Sequence, residues 1–221
     1  MKKLLLLIVI LFLISCSSTQ LVESWKNPDI ENYEPYKVFV VGLTSDQDAR
    51  QQFEKELKNK LELRGYEAVM SINVLDDIQK NDKMSETELN ALESQLISEG
   101  FDTILLTKIV GVEEKITYEK NYDDYEETFR KFKDEYLMHQ DVFNKPDYYN
   151  DYKIYKAETS MYCICPSKDR ELIWKGYINI TDPQSQSIKK TVNDYVRLAM
   201  VVLEEEQLIE PIPVKMTQEQ E

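Results

Sequence analysis

The sequence predicts an α/β fold that becomes α+β in its C-terminal half. The expected architecture is a mixed open sheet in the element order β-α-β-α-β-β-β-α, with helices packed on it and a long insertion between two meander strands. Three observations predict it. Residues 37–43 (Lys-Val-Phe-Val-Val-Gly-Leu) form a short apolar run rich in β-branched residues, the pattern of a central strand buried on both faces. The segments that follow alternate between helical and strand periods, as parallel crossovers require. Residues 155–165 and 172–180 then alternate with period two on either side of a turn, the pattern of an antiparallel pair.

Ahead of the first of these elements lies a segment of another kind. Lys2 and Lys3 form a basic end, and residues 4–14 are an apolar run with the length of a secretory h-region, about half a membrane span. Leu13-Ile14-Ser15-Cys16 follows: a branched apolar residue, a second apolar residue, a small residue and a cysteine. This series is similar to the lipobox of bacterial lipoproteins. The likeness implies acylation of the Cys16 thiol, cleavage before it and a mature chain that begins at a lipidated cysteine. An ordinary secretory signal that contains a cysteine is the alternative. The expected organisation is a signal peptide over 1–15, a lipidated tether and extended segment over 16–36, one α/β domain over 37–210 and a disordered tail over 211–221.

Composition bounds the rest. A chain of 221 residues, 42% hydrophobic and 31% charged, can bury a substantial core and is not of disordered type. The formal net charge is −14, and loss of Lys2 and Lys3 on processing takes it to −16. So acidic a surface repels phosphate backbones and anionic lipid heads, which argues against a nucleic-acid partner. Membrane attachment then has to come from acyl chains on Cys16, and two or more of these make a stable anchor.

In chain order, Pro28 biases Asn27 away from helix, so residues 21–28 read as extended, with Trp25 packing on the domain or left exposed as a contact. Thr44, Ser45 and Asp46 are turn and cap candidates after the first strand. The helix beyond them carries Ala49, Phe53, Leu57 and Leu61 on one face and ends at Gly65. Residues 66–70 are the second strand and residues 72–83 a polar connection. Ser85 and Glu88 form a capping-box pattern before a helix that buries Leu89, Leu92, Leu96 and Ile97 and stops at Gly100. Residues 101–110 are the third strand, Gly111 a bend or bulge, and residues 112–120 a further strand. In the C-terminal half, Tyr155, Ala157, Thr159, Met161, Cys163 and Cys165 face one way, and Lys156, Glu158, Ser160 and Tyr162 the other. Leu172, Trp174, Gly176, Ile178 and Ile180 line one face of the next strand. Asp182-Pro183 starts the last helix, whose apolar face is Ile188, Val192, Tyr195, Val196, Ala199, Val202 and Leu203. Glu204, Glu205 and Glu206 oppose its dipole and predict fraying there.

Residues 121–151 are longer than a hairpin turn needs. Tyr122, Tyr125, Phe129, Phe132 and Tyr136 fall on one helical stripe, and acids precede bases in the order that the helix dipole favours, so a helix is expected from about Tyr122 to His139. The stripe either packs back on the domain or projects as a partner-binding surface, since tyrosine is enriched where proteins meet. These five aromatic residues are the candidate interaction surface.

The chain shows no catalytic constellation, so no catalytic, cofactor-binding or metal residues are assigned and no enzyme activity or cofactor is expected. His139 is the one histidine and reads as a solvated surface residue; Walker, dinucleotide and nucleophile-elbow motifs are absent. Cys163-Ile164-Cys165 is the most tempting grouping. Strand geometry sets their Cα atoms near the upper limit for a disulfide, so two small buried hydrophobes are expected, with a redox pair or an intermolecular bridge as the alternatives.

Several stretches together carry a family resemblance. They are Ser24-Trp25-Lys26-Asn27-Pro28, the strand from Val38 to Leu43, the helix from Phe53 into Arg64-Gly65-Tyr66-Glu67-Ala68, Gly100 to Thr107, Leu172-Ile173-Trp174-Lys175-Gly176 and the Asp182-Pro183 helix. The chain resembles a widespread group of uncharacterised bacterial envelope lipoproteins over nearly its whole mature length. The resemblance implies a fold similar to the small α/β domain of the TolB amino-terminal region and of lipoproteins that assist secretion or cell-wall synthases. It carries over no enzymatic residues. The expectation is therefore a periplasm-facing, lipid-anchored, non-catalytic interaction or assembly-accessory module with an envelope protein partner. Ser17, in place of an aspartate after the cysteine, favours the outer membrane over the inner where the host follows the rule in which aspartate there retains a lipoprotein. A small-ligand or lipid carrier and a thiol redox protein using Cys163 and Cys165 are the alternatives.

Overall fold

The computed structural model describes residues 19–75, 83–111, 131–140, 154–165, 171–181 and 187–213. Its strands are β1 (Thr19–Lys26), β2 (Lys37–Leu43), β3 (Glu67–Met70), β4 (Thr103–Gly111), β5 (Ile154–Cys163) and β6 (Leu172–Thr181). Its helices are α1 (Gln47–Glu62), α2 (Ile72–Leu75), α3 (Glu86–Ser98), α4 (Phe132–His139) and α5 (Ile188–Glu205). The strands form one open sheet in the order β1-β6-β5-β4-β2-β3. β2 is parallel to β3 and β4, and the β4, β5, β6 and β1 neighbours pair antiparallel. The α/β start and antiparallel second half are as the sequence predicts.

Period two divides the core between two faces. Val38 and Val40 of β2 join Phe53, Leu57 and Leu61 of α1 and Tyr195, Val196, Ala199 and Leu203 of α5. Phe39, Val41 and Leu43 join Leu89, Leu92 and Leu96 of α3 and Phe132 and Tyr136 of α4. The central strand is therefore apolar on both sides because helices cover both.

Four expectations are corrected. Thr19 and Gln20, expected as tether, belong with the extended residues after them to the edge strand β1, antiparallel to β6, with Val22 as the extra residue of a bulge. Trp25 is half-buried against the α3 face of the core. Leu172 and Trp174 do not share a face. A register shift opposite Met161 and Tyr162 inserts Ile173, which puts Leu172 with α3 and α4 and Trp174 with α1 and α5. The N-cap of α5 is Ser187, whose hydroxyl accepts from the Lys190 amide, and residues 182–186 lie outside the described residues. The acidic end of α5 does not fray: Glu204 takes Arg64, while the Glu206 carboxylate accepts from Ser24 Oγ at 2.6 Å and its carbonyl from Lys26 Nζ at 2.9 Å. Opposite partners offset the unfavourable dipole. The strand expected over 112–120 also lies outside the described residues.

Candidate functional site: three polar clusters on the sheet

The first cluster closes the point where β3 ends. β3 pairs with β2 only as far as Met70 opposite Val40, so the Gly42 amide has no strand partner there. The Glu54 carboxylate of α1 takes its place: Oε1 accepts from Gly42 N at 3.0 Å, from Arg50 Nε at 3.1 Å and from Ser71 Oγ at 2.6 Å. Its Oε2 accepts from the Ile72 amide at 2.9 Å, and Arg50 also donates to Ser71 Oγ at 3.0 Å. Arg50 and Glu54 are 1% and 0% exposed, so this ion pair is wholly inside and wholly satisfied. Gly42 admits the approach, since a Cβ there would lie 3.0 Å from the Phe53 ring.

The second cluster lies under α4. On the α3 and α4 face, β4 passes from Ile104 and Leu106 to Lys108, and β5 from Tyr162 through Ser160 to Glu158. α4 matches that change along its own axis. Phe132 and Tyr136, one helical turn apart, are fully buried in the apolar half, and the Glu135 carboxylate reaches Lys108 Nζ. Lys108 also donates to Glu158 at 3.0 Å, and Ser160 Oγ donates to the same carboxylate at 2.7 Å. Three further contacts staple the helix down. The Lys131 and Glu171 backbones form an isolated antiparallel β-bridge, Lys133 pairs with Glu86 at 2.7 Å, and the Gln140 amide bonds the Met84 backbone in both directions. Lys133 holds the exposed Glu86 carboxyl below the usual carboxylate range. His139 is half-buried and lies 3.9 Å from Glu135. Lys108 thus ties α4, through Glu135, to β5, through Glu158.

The third cluster is Cys163 and Cys165. β5 ends at Cys163, and the chain leaves strand geometry there to bond Asp102 through the Ile164 amide at 2.9 Å. That departure brings the two Cα atoms to 5.3 Å, inside the range a disulfide allows, and the sulfurs are bonded. The expectation of two unbonded hydrophobes is corrected, because it assumed that the strand continues through Cys165. Cys163 is buried and Cys165 half-buried.

The structure divides the expected interaction surface. Phe132 and Tyr136 are 0% exposed and belong to the core, so neither is a contact residue. Tyr122, Tyr125 and Phe129 lie outside the described residues, as does Cys16. The expectation of a helix running unbroken from about Tyr122 to His139 is corrected: Lys131 is extended and β-bridged to Glu171, so the helix there starts at Phe132. Sequence reasoning missed both ion clusters. The spacing of Arg50 and Glu54 ahead of Leu57 and Leu61 was the available signal for the first, since it continues the buried stripe of α1.

No family model matches the chain, and no curated protein does. Among solved structures, the chain is similar to the PelC dodecamer from Paraburkholderia phytofirmans, with 11% identity over 86% of this chain and 97% of that one and a TM-score of 0.42. It is also similar to the lipoprotein GNA1162 from Neisseria meningitidis, with 12% identity over 76% of this chain and 96% of that one and a TM-score of 0.39.

Proposed function

We propose that the chain is a lipid-anchored, periplasm-facing envelope lipoprotein whose domain serves as a non-catalytic interaction or assembly-accessory module. The observation that carries it is the Leu13-Ile14-Ser15-Cys16 series behind its basic and apolar run. The structure is consistent with a role of this kind, because the buried charges of Arg50, Glu54, Lys108, Glu135 and Glu158 are spent on positioning α1 and α4. The anchor in this reading is acylated Cys16; among the described residues no helix is long and apolar enough to cross a membrane. Ser17 favours the outer membrane in hosts where aspartate at that position retains lipoproteins at the inner one.

The test is crosslinking in intact cells followed by recovery of the tagged chain. A specific envelope protein recovered with the wild type and lost with Cys16→Ala supports the reading. Recovery of no protein, with a small molecule co-purifying instead, would replace it with the carrier reading.

The disulfide favours a second reading, thiol redox exchange. In that reading a partner dithiol attacks the Cys163–Cys165 bond. The partner's disulfide forms, and its two electrons and two protons leave both cysteines as thiols. Alkylation of acid-quenched cells distinguishes the two: a mixture of free and bonded Cys163 in growing cells supports exchange, and a wholly bonded pool a static link.

A further inference from the structure

We infer that the membrane anchor and the fold together fix which end of the sheet faces the bilayer. This deepens the lipoprotein reading and rests on it. Cys16 precedes Thr19 by three residues, and three residues fully extended span about 10 Å. Thr19 is already committed: it is buried, paired with Ile180 at the start of β1. The other end of β1 is held by Lys26 and Ser24 on Glu206, and by Trp174 Nε1 donating to Ser24 Oγ at 2.9 Å. β1 is eight residues, or about 25 Å at strand rise. A 10 Å leash cannot turn such a body over.

The strand directions say what lies at the anchored end. Thr19 lies beside the last residues of β6, next to the first of β5 and the last of β4. β2 runs parallel to β4, so its end at Leu43 is there too. α1 starts from that end. α5 starts there as well, because Glu204 and Glu206 at its far end hold Arg64, beyond the last turn of α1, and Ser24 and Lys26. Ser187, Ile188, Lys189 and Lys190 are exposed at that end, with Asp46 and Asp48 of α1. The bilayer surface is thus the partner of this end. The C-terminal ends of the parallel strands, where open α/β sheets place ligands, also face it. The Cys163–Cys165 disulfide, the loop after α1 and Asp102 lie at the opposite end, facing the periplasm.

The test uses full-length acylated protein in phosphatidylethanolamine–phosphatidylglycerol vesicles, with Cys163 and Cys165 replaced by serine. A nitroxide is placed at Lys189→Cys or at Leu63→Cys. Leu63 is 58% exposed just past α1, at the far end. Nickel chelated to a lipid headgroup should relax the label at 189 severalfold more than that at 63. A Gly/Ser linker of about 20 residues inserted before Thr19, with a reach of about 25 Å, should bring the two close to equal. Equal relaxation without the linker, in protein whose Cys16 carries its acyl chains by mass spectrometry, would overturn the orientation alone. Vesicle-purified protein with an unmodified Cys16 would overturn the anchoring and the orientation together.

Discussion

Glu54 is the residue whose loss should cost most. Its carboxylate replaces a missing strand, neutralises a buried guanidinium and takes the Ser71 hydroxyl and the Ile72 amide. Glu54→Ala takes the carboxylate from the buried Arg50 guanidinium and removes the acceptor of the Gly42 and Ile72 amides, at about 3–5 kcal/mol. Urea unfolding should show that loss, and a change under 1 kcal/mol would mean that water reaches the site. Tyr195 makes a pH prediction. It is buried, its hydroxyl lies 2.6 Å from Thr159 Oγ1, and burial pushes its phenol above the ordinary value, as it does for Tyr33. An unfolded phenol ionises near pH 10. Below that pH both states keep the proton and stability is flat in this group. Above it only the unfolded state ionises, and stability falls as pH rises. The urea midpoint should drop between about pH 9.5 and 11, with a shallower slope in Tyr195→Phe; identical slopes would place the titration elsewhere.

At the scale of elements, α4 is the one that the sequence left open. Its Phe132 ring meets Tyr162 edge-on at 6.1 Å and Tyr136 at 5.6 Å. Phe132→Ala should cost about 3–5 kcal/mol, as removal of a core aromatic does. A value near zero, read from the same unfolding curves, would return the helix to the surface. Ser85→Ala removes the capping box that Glu88 completes at the start of α3 and should cost about 1 kcal/mol. Much of this level was legible. β2, the stripes of α1 and α3, Gly65 and the capping box follow from local rules, because period and caps are properties of neighbouring residues. The positive φ of Gly65 is one such property. What was not legible depends on distant partners. β1 is a strand because β6 lies beside it, Glu206 stays ordered because Ser24 and Lys26 reach it, and Ile173 bulges against Met161 and Tyr162. The same holds at the candidate sites. The acids of 41 candidates give no sign of which two will meet Lys108, while Cys163 and Cys165 were visible as a pair and misjudged only in where the strand ends.

For the whole molecule, the first described strand and the last described helix are tied to each other. β1 docks against α5 and β6, so residues 19–26 are part of the folded unit rather than a leash. The disulfide adds little to this, since the loop it closes is very short. Loop-closure entropy gives it about 1–2 kcal/mol. Cys163→Ser with Cys165→Ser should therefore unfold at nearly the wild-type urea concentration. A loss of more than about 4 kcal/mol would show that the bond maintains the β5 and β6 ends in a way that entropy does not account for.

On the proposed reading, one atom, the Cys16 sulfur, attaches the domain to a membrane. The most direct measurement is mass spectrometry of the mature amino-terminal peptide from the membrane fraction. The account predicts a chain that starts at Cys16 and carries the mass of a diacylglyceryl group, with Cys16→Ala leaving the membrane fraction. A mature terminus at another residue, or an unmodified Cys16 in membrane-bound protein, would contradict it.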